Sequence, residues 1–264
     1  MKEIASGHLV VIYIVAKQFL NSFQVLKFVT MTARTVIDAL LAMTRPEQAV
    51  QIARLFKTGP GQYAEGDLFL GLTMPQQREI TRQLIDLSVQ EVERLIQNPY
   101  HECRMTGLLI WVLQCRKRGI EVSHRQAIFD RYLANRHCVN NWDLVDVTRP
   151  TVVGGYLLHN DRTILYDLAD ENHLWSQRMA IVSTLAFIKK GQLGDALAIS
   201  EKLLSHRHDL IHKAVGWILR EVGKKNPDVL EEFLHDHIRE MPRTPLRYAI
   251  ERFTPEKRNA YLRL

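Results

Sequence analysis

From residue 31 to the C-terminus, apolar residues recur every third or fourth position, and no stretch alternates polarity between flanking turns. Helical periodicity is clearest over residues 75–87, 88–97, 102–118, 123–135, 174–190, 193–204, 210–224 and 228–239. Asn98-Pro99, Gly119, Gly191, Asn226-Pro227 and Pro242 fall between the periodic segments, where glycine and proline are expected to punctuate helices. Arg118-Gly119, Lys190-Gly191 and Val222-Gly223 each close an apolar segment, and the interval from Gly191 to Gly223 is 32 residues. Helix pairs at such a period stack so that each repeat buries its face against its neighbours. The expected fold is therefore all-α: a helical-repeat superhelix, or α-solenoid, with a concave basic face.

Residues 31–264 read as one repeat domain, since no linker-like stretch divides them. With 264 residues and 46% hydrophobic content, the chain has enough apolar material for a continuous core. Residues 1–30 form a separate N-terminal extension. Its uncharged run from Ile4 to Ala16 is too short to span a bilayer and ends at Lys17. It faintly resembles a signal peptide, but no small-x-small cleavage site follows. An extra helix is one alternative; an upstream extension, with initiation at Met31, is the expectation.

Three cysteines without a Cys-x-x-Cys pair imply neither a disulfide framework nor a zinc cage. The eleven histidines include no His-Glu-x-x-His pattern. His206 with His208, and His235 with His237, read as solvated pairs on different helix faces. No metal or cofactor is expected, and free thiols suit the cytoplasm. The net charge of +6 suits contact with phosphate backbones without requiring it.

Three clusters carry candidate chemistry. In Asn140-Asn141-Trp142-Asp143-Leu144-Val145-Asp146, Asn141 is a candidate N-cap, which puts Trp142 and Asp146 four apart on one helix face. An aromatic plate beside a carboxylate suits a cationic sugar or base; a core-packed Trp142 and an ion-paired Asp146 fit the local sequence as well. In Leu174-Trp175-Ser176-Gln177-Arg178, Arg178 opens an apolar helix as a phosphate ligand or a surface arginine. In the third cluster, Ile211, Val215, Ile218, Leu219 and Val222 form an apolar stripe. Lys213, Trp217, Arg220 and Lys224 form a second, basic-aromatic stripe, either a nucleic-acid surface or a cover for the next repeat.

Together, and in this order, the clusters resemble the DNA alkylation repair family of alkylpurine DNA glycosylases. The likeness spans about residues 45 to 253. It covers Trp142 and Asp146 in a Trp-Asp-x-Val-Asp motif, Arg178 three residues after Trp175, and Trp217 in Val215-Gly216-Trp217-Ile218-Leu219-Arg220-Glu221. Upstream, Tyr63 and Phe69-Leu70-Gly71-Leu72-Thr73-Met74-Pro75 resemble the family's leading segment, whereas Lys57-Thr58-Gly59-Pro60-Gly61 looks like an insertion. The resemblance implies a HEAT-like fold and hydrolysis of the N-glycosidic bond of N3- and N7-alkylated purines in duplex DNA. It also implies that the lesion base is left outside the protein. Nothing in the sequence demands a Schiff-base lysine, a cofactor or a partner subunit, so a monofunctional, cofactor-free monomer is expected.

On this basis Asp146, Trp142 and Trp217 are the expected catalytic residues. Arg178, Lys213, Arg220, Lys224 and Tyr63 are the expected DNA contacts. Asp143, about 100° from Trp142 on the helical wheel, is expected to face elsewhere and to matter less. The rival reading is a non-catalytic helical-repeat scaffold binding damaged or branched DNA, or protein, in which Asp146 is dispensable.

Overall fold

The computed structural model describes residues 31–264; the extension at 1–30, with the expected start at Met31, lies outside the described residues. Helices α1 (Ala33–Ala42) and α2 (Pro46–Leu55) lead into a loop, 56–73. Then follow α3 (Met74–Gln83), α4 (Val89–Ile96), α5 (His101–Arg116), α6 (Val122–Ala134), a 3-10 turn at Arg136–Cys138, and α7 (Trp142–Leu157). The C-terminal half contains α8 (Thr163–Asp170), α9 (Leu174–Ser183), α10 (Leu185–Lys189), α11 (Gly194–Lys202), α12 (Asp209–Lys225), α13 (Pro227–His237), α14 (Arg243–Ala249) and α15 (Pro255–Arg263). Among the described residues, β structure is confined to a single bridge between Leu68 and Tyr100.

The helices pair along the chain: α4 with α5, α6 with α7, α8 with α9, and α11 with α12. The second members also pack on one another in series, α5 on α7, α7 on α9, α9 on α12, and α12 on α14. This is the expected helical-repeat architecture, and it explains why α5 and α9 are buried almost all round. A helix flanked on both sides by its own kind, and backed by its pair partner, has few positions left for solvent. One continuous core runs the length of this row.

Glycine sets the spacing at two crossings. A Cβ on Gly154 of α7 would lie 2.2 Å from the Ser183 carbonyl oxygen, and one on Gly216 of α12 would lie 2.5 Å from that of Pro245. Any larger residue would push the row apart at these points.

The structure corrects the sequence reading in two places. The periodic stretch 174–190 divides at Ser183 and Thr184, whose hydroxyls donate back to Met179 and Ile181 carbonyls and end α9. Gly119 and Gly191 do terminate helices, both at φ +76°. Gly223, however, lies inside α12, where it lets Leu230 of α13 approach. The 32-residue interval between Gly191 and Gly223 is thus not a structural period: one glycine makes a turn and the other admits a neighbour.

Candidate active site

Asn141 is the N-cap of α7, its side chain accepting from the Trp142 N–H at 2.8 Å. That fixes the first turn of α7, and with it Trp142, Asp143 and Asp146. Pro150, four residues after Asp146, has no N–H to offer the Asp146 carbonyl, so the helix is locally unpaired beside the candidate carboxylate.

Asp146 and Arg178 meet across the α7–α9 contact. Arg178 Nε donates to Asp146 Oδ1 at 2.9 Å and Nη2 donates to Oδ2 at 2.7 Å, a bidentate fork, while Nη1 donates to the Leu210 carbonyl at 2.5 Å. Arg178 was expected as a phosphate ligand. Three of its five N–H groups are instead committed to Asp146 and to the start of α12, and its side chain is buried. Burial pushes the Asp146 carboxyl above its ordinary value; the Arg178 guanidinium works against that, and Asp143 adds to it. The plainer reading, an ion-paired Asp146 near a helix start, is correct as geometry and compatible with a chemical role.

In front of this pair lies a cleft of about 740 Å³. Trp142, Tyr63, Trp217 and Tyr248 supply aromatic surface, and Lys57, Arg178, Arg207, His208, Lys213 and Arg220 line it with nitrogen-bearing groups. The cleft therefore gathers Trp142, Trp217, Arg178, Lys213, Arg220 and Tyr63. Lys224 is not among its lining residues, and neither is Asp146, whose carboxylate is held by Arg178 in the cleft wall. Tyr63 also sets its ring edge-on to Trp175, with centroids 5.9 Å apart.

The apolar stripe of α12 is buried as expected, with Trp217 and the cations outside it. The cations themselves are less available than the sequence suggested. Lys213 pairs with Asp209 at 2.7 Å, Lys224 with Glu221 at 2.6 Å, and Arg220 with Glu251. Lys57 and Arg207 are exposed, line the same cleft, and form no ion pair among the described residues. Sequence inspection passed over both, together with Tyr248, because each stands alone in its segment; only the fold gathers them. Lys57 does carry one local signal, the left-handed φ of +55° at the start of the apparent insertion.

The histidines differ from expectation. His206 Nδ1 accepts from the His208 N–H at 2.9 Å, and His208 Nδ1 accepts from the Leu210 N–H at 3.1 Å, so both build the turn into α12. Burial lowers the pKa of each, and an acceptor nitrogen is by necessity unprotonated. No group of three or more His, Cys, Asp or Glu side chains has a metal-holding arrangement among the described residues.

Asp143 turns away from the cleft into a buried cluster that the sequence did not disclose. Its Oδ2 lies 2.9 Å from His101 Nε2, and Asp67 Oδ2 lies 3.5 Å from His101 Nδ1. Asp67 Oδ1 also accepts from Arg104 Nη2 at 2.7 Å and from Asn140 Nδ2 at 2.9 Å. The His101 ring stacks on Phe69 at 4.8 Å, and Phe56 bridges His101 at 5.2 Å to Trp142 at 5.5 Å. Glu102 secures the neighbouring segment by accepting from the Leu70, Gly71 and Leu72 N–H groups.

Burial disfavours a charged His101, but its hydrogen bond to Asp143 and the nearby Asp67 carboxylate, 3.5 Å from an Nδ1 that has no other partner among the described residues, outweigh burial and raise its pKa from 6.5 to about 9. Asp67 shows the opposite sign: burial opposes its charge, yet His101, Arg104 and Asn140 hold it at about 2. The histidine therefore contributes stability that is fully present below about pH 6.5 and lost as pH rises through about 9. The Asp67 contribution is present above about 3.8 and lost as pH falls towards about 2. Denaturant titrations should show stability declining between pH 6.5 and 9.5, by on the order of 3 kcal/mol. A flat profile over that window would contradict a cationic His101.

Residues 36–253 match the family described as DNA alkylation repair enzyme. The chain belongs to the DNA alkylation repair enzyme family. A solved structure with the same architecture, a predicted DNA alkylation repair enzyme from Enterococcus faecalis, superposes with a TM-score of 0.65 at 20% identity. The superposition covers 81% of this chain and 98% of that one, and at that identity it shows a shared fold. No curated protein sequence matches. Membership makes this a DNA repair enzyme acting on alkylation damage, with DNA as its partner. No helix among the described residues is long and apolar enough to cross a membrane.

Proposed function

We propose that this repair enzyme is a monofunctional DNA glycosylase hydrolysing the N-glycosidic bond of N3- and N7-alkylated purines in duplex DNA. The observation that carries the proposal is the Asp146 carboxylate, oriented by a bidentate Arg178 behind a cleft walled by Trp142 and Trp217. Alkylation at N3 or N7 gives the base a positive charge, so it departs as a neutral molecule. The C1′–N9 bond breaks, its electron pair leaves with the base, and positive charge develops on the deoxyribose, as in glycoside hydrolysis. Asp146 opposes that charge and aligns the water that adds to C1′; the indoles of Trp142 and Trp217 offer their ring faces to the same cation.

The aromatic walls and the open cleft fit a lesion held by its backbone, with the base outside, as the resemblance implies. No Schiff-base lysine is assigned, so the product is an intact abasic strand. Incubating the enzyme with duplex carrying one N7-methylguanine should give strand breaks at that position only after alkali. Breaks before alkali would indicate a lyase, and none after alkali would remove the glycosylase assignment. One chain supplies every group assigned here, so the site needs no second subunit and a monomer suffices for the chemistry.

The unpaired cations of the cleft then become the main phosphate contacts, with Lys213, Arg220 and Lys224 secondary because each must first exchange a carboxylate. Lys57→Ala and Arg207→Ala together should weaken duplex binding and reduce the slope of log affinity against log salt by about 2, one for each lost phosphate contact. Lys224→Ala should change the slope by less than half a unit. The reverse ranking would place the DNA along α12 instead.

A second reading has one observation in its favour: the Asp146 charge is already matched by Arg178, as in a purely structural ion pair. A scaffold of this kind binds damaged and intact duplex alike and releases no base.

A further inference from the structure

The buried cluster behind the cleft is arranged around its charges. Asp67 and Asp143 bring two negative charges, and Arg104 and a protonated His101 bring two positive ones. Remove the histidine's charge and the cluster is left one negative charge in excess. That excess sits in the first turn of α7, on Asp143, three residues from Asp146. Residues three apart are neighbours on a helix surface.

We propose that His101 is a positioning residue for base release: as a cation between Asp67 and Asp143 it cancels the Asp143 charge beside Asp146, and through Phe56 it backs the Trp142 ring. The proposal rests on Asp146 as the reacting carboxylate. Its geometry has two arms that meet at one imidazole. Nε2 reaches the Asp143 carboxylate at 2.9 Å, and the ring plane leans on Phe56, which stacks on Trp142 with 22° between the rings. His101 is thus not among the residues that line the cleft, yet it adjoins the supports of both an assigned aromatic wall and the assigned carboxylate.

The charges around these groups are few. Facing His101 are Asp67 from the 56–73 loop, Arg104 from its own helix, and Asp143 from α7. Facing Asp146 are Arg178 from α9, Asp143 from its own helix, and the Tyr132 hydroxyl of α6. Asp143 already raises the Asp146 pKa. An unneutralised Asp143 raises it further, so that less of Asp146 is ionised at neutral pH.

The experiment follows the Asp146 carboxyl by its carbon-13 resonance in the free full-length protein, and base release from N7-methylguanine duplex as a function of pH. Four proteins are compared: wild type, His101→Phe, His101→Gln and His101→Phe/Asp143→Asn. Phenylalanine keeps the stack without the charge, and glutamine keeps a donor towards Asp143 without the charge. In both single variants the Asp146 titration, and the acid limb of kcat with it, should move up by about one pH unit. KM for DNA should stay within about twofold, because neither substitution removes a group assigned to the DNA and phenylalanine keeps the stack on Phe56. Adding Asp143→Asn to His101→Phe should return the Asp146 titration to within a few tenths of a unit of wild type.

A merely structural histidine would lower stability without moving that titration. If His101→Phe does not fold, His101→Gln carries the test alone. An Asp146 titration unmoved in a folded single variant, or moved and not restored by Asp143→Asn, overturns the proposal. Should wild type release no base while the Asp146 resonance shifts as stated, the electrostatic role of His101 stands and the glycosylase reading fails.

Discussion

Asp146→Asn should lose base release by roughly a thousand-fold while the protein still folds and binds duplex DNA. A carboxylate about 4 Å from a developing unit charge contributes on the order of 4 kcal/mol at an effective dielectric near 20. If that acts mainly in the transition state, it corresponds to about three orders of magnitude in rate. Asparagine keeps the size and one acceptor oxygen, so Arg178 retains a partner and the α7–α9 contact survives. The variant should melt a few degrees lower, because the buried guanidinium now lacks its counter-charge. Single-turnover release with excess enzyme separates the chemical step from DNA affinity. Wild-type release by a folded Asp146→Asn would leave that carboxylate without a catalytic role, and loss of release in Asp143→Asn alone would transfer the role to Asp143.

Removing the partner should do nearly as much damage by a different route. Arg178→Met takes the guanidinium from a carboxyl that burial already holds above its ordinary value, and Arg178 is the neighbour that opposes burial. The expected result at neutral pH is a larger protonated fraction of Asp146 than in wild type and a fall in release of roughly tenfold or more. Breaking a buried ion pair from one side typically costs about 3 to 5 kcal/mol, so a drop in melting temperature accompanies it. The distinguishing feature is its pH dependence. Release by Arg178→Met should recover as pH is raised and the carboxyl ionises, whereas Asp146→Asn shows no such recovery. If Arg178 instead served chiefly as a phosphate ligand, its loss would appear in DNA affinity and salt dependence, with no alkaline recovery.

The repeat fold could be read from the sequence because it depends on periodicity, which α4 and α12 display clearly, and on apolar runs such as those of α5 and α9 that need burial all round. The start of α7 at Trp142 was legible for a related reason: Asn141 is a good N-cap, and it places Trp142 and Asp146 one turn apart at the start of the helix. What was not legible involves elements distant in the chain. Nothing local to Arg178 says that Asp146 will meet it across 32 residues of sequence. Lys57 and Arg207 share a cleft only because the 56–73 loop packs beside the start of α12. The basic stripe of α12 meets counter-charges one turn away in Asp209 and Glu221, and one from distant sequence in Glu251, which helix periodicity alone does not bring to Arg220.

His101 shows the same limit more sharply. In sequence it is a lone histidine after Asn98-Pro99-Tyr100, and only folding brings Asp67 and Asp143 to its two nitrogens. Arg149 is comparable: fully buried in α7, it donates to the Tyr132 hydroxyl at 2.8 Å and lies over that ring, in a position where sequence patterning alone would expect an apolar residue. A buried cation of this kind is a property of the packed row of helices and leaves no periodic trace.

The most direct test is single-turnover release of free 7-methylguanine from a duplex containing one N7-methylguanine, quantified by mass spectrometry against an enzyme-free control. Free base appearing well above the spontaneous rate, in step with an abasic strand that stays uncut, is the predicted result. Release no faster than the control, with the duplex demonstrably bound, would contradict it and leave a DNA-binding helical-repeat protein without glycosylase chemistry.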